Sequence, residues 1–139
     1  VAGTTPLPAI EDLRAIIAQA RRERLPILLF FSTEGCPYCL EVRRNYLAPR
    51  VRAGHAAAGA LIREIDIGSA RRVTDVDGKL VSEADLARRY GVRMTPLVLL
   101  VDWQLQPLGA PLIDLDAAGF YEAYLANAID SARRKLAAP

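Results

Sequence analysis

Apolar and polar positions alternate with two distinct periods along the chain. Ile10, Leu13, Ile16, Ile17 and Ala20 recur at helical spacing with charges between them, which predicts an amphipathic first helix from about Ala9 to Glu23, closed by Pro26. Ile27 to Phe31 is a near-continuous apolar run and suits a strand covered on both faces. Leu40 to Leu47 reads as a helix that stops or kinks near Pro49. Arg50 to Ala60 is alanine-rich and broken by Gly54 and Gly59, which predicts a short helix or ragged turn. Leu61 to Ile67 alternates imperfectly and reads as a second strand. The stretch from Gly68 to Val81 is polar, and its Asp75-Val76-Asp77-Gly78 reads as a turn. That fragment has a faint likeness to a calcium loop, without the later ligands in pattern.

Ser82-Glu83-Ala84-Asp85 resembles a capping box and opens a short helix through Leu86 and Tyr90, which Gly91 can end. Leu97 to Val101 is a third strand, Asp102 to Gln106 a turn, and Leu108 to Leu115 a fourth strand. Pro107 and Pro111 place that fourth strand at an edge. Trp103 reads as a packing residue or a binding aromatic. Asp116 can cap a last helix on which Phe120, Tyr124, Leu125, Ile129 and Leu136 fall near one face. Arg133, Arg134 and Lys135 suit its C-terminal end. Val1 to Pro8, with Gly3, Pro6 and Pro8, reads as an extended arm.

Composition narrows the classes. The 139 residues predict one domain over 1–139, long enough to bury a core. At 52% hydrophobic residues the chain is not a disordered one, and a net charge of +2 is too small to suggest nucleic acid or an acidic substrate. The arginine pairs, such as Arg21-Arg22 and Arg43-Arg44, read as solvated helix faces. No apolar run is long enough to cross a membrane. The chain begins at Val1 rather than methionine, which is compatible with a removed export signal.

The chemistry concentrates at Cys36-Pro37-Tyr38-Cys39, which holds the only two cysteines. The motif sits where the first strand ends and a helix begins. There the unpaired N–H groups and positive dipole end of the helix stabilise a thiolate, the attacking species in disulfide exchange. Pro37 suits the first helical turn, since its missing N–H would be unpaired there. Cys36 is the expected nucleophile and Cys39 the resolving thiol. Half of a zinc site and two unrelated buried cysteines are the alternatives. Zinc usually takes four ligands, the only histidine is His55, and no ligand pair at suitable spacing accompanies the cysteines. His55 reads as a surface residue and Glu34 as a solvent-facing loop carboxylate. No metal or organic cofactor is expected.

With the C-x-x-C at one point and Gly91-Val92-Arg93-Met94-Thr95-Pro96 ahead of an apolar strand, the chain resembles the thioredoxin-fold proteins over nearly its whole length. That resemblance implies an α/β fold with a central four-stranded mixed sheet flanked by helices and an extra N-terminal helix. It implies that Pro96 is a cis-proline beside the active-site disulfide. It also implies that Thr95 pairs its main chain with an extended substrate, with Pro37 and Tyr38 completing the substrate-binding surface. Gly35-Cys36-Pro37-Tyr38-Cys39 is similar to the motif of periplasmic thioredoxin-related proteins, including those of the Sox sulfur-oxidation system.

Some positions depart from the family. A typical thioredoxin has tryptophan before the first cysteine, where this chain has Gly35, and a buried aspartate where it has Phe30. Another proton acceptor, water or Glu34, is then implied. Cys-Pro-Tyr-Cys is also the glutaredoxin signature, but the Gly-Gly turn and acidic residue of a glutathione site are not visible after the third strand. The resemblance therefore implies a monomeric, periplasmic thiol–disulfide oxidoreductase. Its expected partners are protein thiols and disulfides and a membrane electron donor, with no nucleic acid. A glutathione-dependent reductase and a non-catalytic binding module are the rival readings.

Overall fold

Strand β1, Ile27–Ser32, is buried along its entire length and runs through the middle of the sheet. The computed structural model of the chain describes residues 7–113 and 119–138. A four-stranded mixed sheet carries the order β2-β1-β5-β6, with β2 at Leu61–Asp66, β5 at Leu97–Val101 and β6 at Leu112–Ile113. β1 pairs parallel with β2 and antiparallel with β5, and β6 pairs antiparallel with β5. Helices cover both faces. α1 is Leu13–Glu23 and α5 is Glu83–Arg89; α2 is Pro37–Val42, α3 Ala48–Ala53, α4 His55–Ala58 and α6 Tyr121–Ala137.

The two-residue period of the strands divides the core. Ile27, Leu29 and Phe31 join Leu13 and Ile16 of α1 and Leu86 of α5 on one face. Leu28 and Phe30 join Cys39, Val42, Leu47 and the α6 residues Leu125 and Ile129 on the other. Continuous burial of β1 and β5 explains why both read as unbroken apolar runs. The fourth strand is at the edge, as its prolines predicted, but it is shorter than expected: only Leu112–Ile113 pair, 108–111 are not strand, and residues 114–115 lie outside the described residues, as do Asp116 and most of the N-terminal arm.

Four further expectations need correction. The first helix begins at Leu13, not Ala9, because the preceding residues line the sheet edge. Ala9 bridges Glu64 in parallel, and Glu64 N–H donates to Pro8 O at 2.9 Å. Asp12 then caps α1, accepting from Arg14 N–H at 2.9 Å. Near Pro49 the helix neither stops nor breaks. A π-helical turn over Arg43–Leu47 joins α2 to α3, and Pro49 falls in the first turn of α3, where its missing N–H is tolerated.

The polar stretch after β2 contains a hairpin, β3 at Arg72–Thr74 and β4 at Leu80–Ser82. Its apolar signal is weak, for Val73 is buried while Leu80 is exposed. Asp75, in the turn, is held by the Arg89 guanidinium at 2.7 Å, and that guanidinium draws its carboxyl below the usual range. The buried stripe of α6 is Tyr121, Leu125, Ile129 and Ala132; Phe120 and Tyr124 are exposed and Leu136 is half-buried. The stripe is rotated from the expected face, since two neighbouring aromatics of similar size offered either phase.

Other expectations stand. Ser82 Oγ accepts from Asp85 N–H at 3.0 Å and caps α5. Trp103 is a packing residue, its Nε1–H donating to Leu25 O at 2.9 Å. Gly59 has φ of +77°, and a Cβ there would lie 3.1 Å from Arg133 Cδ, so glycine lets α4 approach α6.

Leu125 is fully buried, so Leu125→Ala is expected to lower unfolding free energy by about 2–5 kcal/mol in urea titration. Tyr90 donates its hydroxyl to Leu105 O at 2.8 Å, and burial pushes it up to about 12 from the ordinary 10.0. Its folded value lies above its unfolded one. The stabilisation is thus complete below pH 10.0 and is lost as pH rises through about 12. Urea midpoints measured across that window are expected to fall, with a shallower fall in Tyr90→Phe.

Candidate active site at the end of strand β1

β1 gives way at Ser32 to a short turn, in which Gly35 takes φ of +76° and an added Cβ would meet nothing within 4 Å. Glycine makes this left-handed turn without strain and delivers Cys36 to the N-cap of a helix. Cys36 is the N-cap of α2 with extended backbone, and its Sγ accepts from Cys39 N–H at 3.1 Å. Pro37 opens the helical turn behind it. Cys36 and Cys39 are joined as a disulfide with Cα atoms 5.2 Å apart. The two sulfurs have unequal surroundings. Cys36 is half-buried at the surface, whereas Cys39 is 1% exposed among Val42, Phe30 and Leu28.

The start of β5 meets this pair from the other side. Thr95 Oγ1 lies 3.7 Å from Cys36 Sγ, and the Thr95–Pro96 peptide bond is cis. Pairing of Phe31 with Leu97 makes the approach inevitable, because residues just before Leu97 must lie beside the end of β1. Tyr38 of α2 and Met94, just before Thr95, are exposed, at 58% and 55%. Residues 36–39 and 95–96 are thus one cluster. Glu34 is exposed in the turn. His55 is remote from it on α4, paired with Glu23 at 2.5 Å.

On the far side of Cys36 a cleft of about 630 Å³ opens between α2 and β2, and three residues in it escaped sequence reasoning. Glu64 of β2 accepts from Ser32 Oγ–H at 2.6 Å and from Arg43 Nε–H at 3.0 Å, with a second Arg43 nitrogen closing the fork. Arg43 lies over the Phe30 ring, 5.7 Å from its centroid. Its hydrogen bonds to Glu64 hold this guanidinium above its ordinary value. One signal was available in the sequence. Glu64 interrupts the inward face that Ile62 begins, and Cys36, Leu40 and Arg43 share a helical face by spacing.

The arrangement joins an accessible sulfur to a helix N-terminus that favours its anion and to a second sulfur within bonding reach. Among the described residues no group of three or more His, Cys, Asp or Glu could hold a metal ion.

A model of the thioredoxin-like domain matches residues 13–108. No curated protein sequence matches the chain. Several solved structures share the fold. A thioredoxin-fold protein from Helicobacter pylori is 19% identical, with 82% of this chain and 81% of that one covered and a TM-score of 0.58. The oxidised C-terminal domain of Neisseria meningitidis DsbD is 21% identical over 86% and 98%, with a TM-score of 0.55. The periplasmic thioredoxin SoxS of Paracoccus pantotrophus is 20% identical over 77% and 98%, with a TM-score of 0.50.

The unequal burial of the two sulfurs has a direct test. After reduction, a bulky maleimide is expected to label Cys36 at least about tenfold faster than Cys39, read by peptide mass. Equal rates would contradict the geometry.

Proposed function

The chain belongs to the thioredoxin-like family, and from that premise we propose that it is a thiol–disulfide oxidoreductase acting on protein disulfides through Cys36 and Cys39. The observation that carries this reading is a bonded cysteine pair at a helix N-terminus, with Cys36 half-buried at the surface and lining a cleft while Cys39 lies in the core. In the reducing direction the Cys36 thiolate attacks one sulfur of the substrate disulfide, and the other substrate sulfur leaves as a thiolate. Cys39, deprotonated, then attacks Cys36 Sγ in the mixed disulfide. The second substrate sulfur departs, takes a proton, and leaves Cys36 bonded to Cys39. Two electrons pass to the substrate, and a dithiol donor restores the pair. Every step runs backward with an oxidising partner.

Thr95 and Pro96 present the substrate in this proposal, the main chain of Thr95 pairing with an extended segment beside Cys36. Pro37 and Tyr38, both exposed, supply the opposite lip. The proposed compartment is the periplasm, supported by the likeness to the Paracoccus periplasmic thioredoxin. The proposed working form is a monomer that takes electrons from a membrane donor; among the described residues no helix is long and apolar enough to cross a membrane.

Cys36→Ser is expected to abolish reduction of a protein disulfide, while Cys39→Ser accumulates a mixed disulfide with the substrate, visible by non-reducing gel and mass. Equilibration against a glutathione series gives the direction of electron flow. A potential near about −270 mV assigns a reductant, and one between roughly −180 and −120 mV an isomerase or oxidant. Full activity in Cys36→Ser would overturn the proposal. Turnover with glutathione alone, as fast as with protein reductants, would replace it with a glutaredoxin-like reductase.

A further inference from the structure

A second concavity lies toward the other end of the sheet, away from the cysteines. Register places it there. Leu61 and Ile62 pair with Ile27 and Leu28 at the start of β1, whereas Cys36 follows the end of that strand. Its volume is about 240 Å³, and Pro8, Arg50, Gly54, His55, Ile62 and Arg63 are among the residues around it. Three of these are basic, and no described aspartate or glutamate lines the space. Two of the three are already matched by carboxylates outside it. Arg50 is held by Glu122 at 2.5 Å, and His55 by Glu23 at 2.5 Å.

Arg63 has no such match. One of its guanidinium N–H groups donates to the Ile62 carbonyl at 2.8 Å, and among the described residues no carboxylate bonds to it. Residues 1–6 contain no acidic side chain that could supply one. Burial draws this guanidinium below its ordinary value, where carboxylates hold Arg14, Arg43 and Arg89 above theirs. Its other donors meet solvent, because among the described residues no buried side-chain nitrogen lacks a partner. A part-buried cation beside a small space without acids favours an anion there. The space is below the roughly 300–1,000 Å³ that drug-sized ligands fill, which limits the occupant to a small ion. The planar fork of guanidinium donors matches the oxygens of phosphate or sulfate.

We propose that Arg63 anchors a binding site for a small oxyanion of the phosphate or sulfate class, with Arg50 and His55 as its flanking walls. The site is separate from disulfide exchange and serves the oxidised and reduced protein alike. A different role for Arg63 would be to cap the edge of the sheet. Along the outer edge of β2, Glu64 N–H donates to Pro8 O and Arg63 covers the Ile62 carbonyl. A cap needs a donor but no charge, whereas an anion site needs the charge.

The test is a titration of the oxidised protein with inorganic phosphate, against sodium chloride at matched ionic strength, with thermal unfolding followed by circular dichroism. Saturable binding is expected to raise Tm by roughly 5 °C at tenfold excess over the dissociation constant. Arg63→Gln keeps an amide donor for Ile62 O and removes the charge, and is expected to lose the saturable rise. Arg63→Lys keeps the charge without the fork and is expected to saturate at higher phosphate. Phosphate also stabilises proteins by exclusion from their surface, and that contribution grows steadily with concentration in every variant. A rise that never saturates, or one equal in the parent protein and Arg63→Gln, would overturn the proposal. Should Arg63→Gln fail to fold, amide NMR of the parent protein decides it. Saturable phosphate-dependent shifts centred on residues 54–63 support the site, and none there overturns it. Cys36→Ser is expected to show the parent's phosphate response, so this site and the oxidoreductase reading stand or fall separately.

Discussion

Burial of β1 on both faces is the constraint from which the site follows. A strand with six buried residues needs hydrogen-bonded neighbours on both edges and apolar cover above and below. β2 and β5 supply the edges, and α1 with α5 and α2 with α6 supply the cover. Register then fixes what gathers at its C-terminal end. Ser32 pairs with Asp66, and Phe31 with Leu97, so the end of parallel β2 and the start of antiparallel β5 both arrive beside Cys36. Residues distant in sequence meet because one strand has nowhere else to go.

The same burial sets the conditions for charge near the sulfurs. Phe30 fills the core face beneath Cys39 with an aromatic ring, leaving no polar group on β1 at that level. Glu64, its partner across the strand pair, points to the same face and brings a carboxylate in from the sheet edge. A carboxylate with so little exposure is costly unless hydrogen-bonded. Ser32 and both arms of the Arg43 fork supply those bonds, and among the described residues no buried side-chain nitrogen or oxygen lacks a partner. The π turn places Arg43 on the cleft side of the helix while the chain continues past Pro49.

How much of this was legible depends on how far each feature reaches. β1 and β5 announced themselves, because strands buried on two faces need no partner to define their pattern. The cap at Ser82 and the glycine at 91 were local chemistry and stand where expected. The start of α1 was not local. Ile10 fits the helical spacing of Leu13 and Ile16, but the bridge from Ala9 to Glu64 holds that segment extended. The hairpin of β3 and β4 was too short to show a period. Phase on α6 was undetermined because Phe120, Tyr121 and Tyr124 offered two equivalent stripes. The cysteine motif was legible as chemistry, whereas Ser32, Arg43 and Glu64 became a group only once the register of β1 and β2 was known.

The spacing of the two cysteines accounts for the asymmetry between them. An N-cap residue stands outside the helix, with extended backbone and its side chain free to face solvent. Three residues later the chain has completed most of a turn, and the side chain points down onto the face that packs against the sheet. Cys36 and Cys39 occupy those two positions, so one cysteine is half-buried at the edge of a cleft and the other lies in the core. The N–H of Cys39, among the unpaired donors of the first turn, is thereby aimed at Cys36 Sγ. A single helical start therefore supplies the accessible sulfur, a donor that stabilises its anion, and a second sulfur within reach. Any longer spacing would carry the second sulfur further from the N-cap.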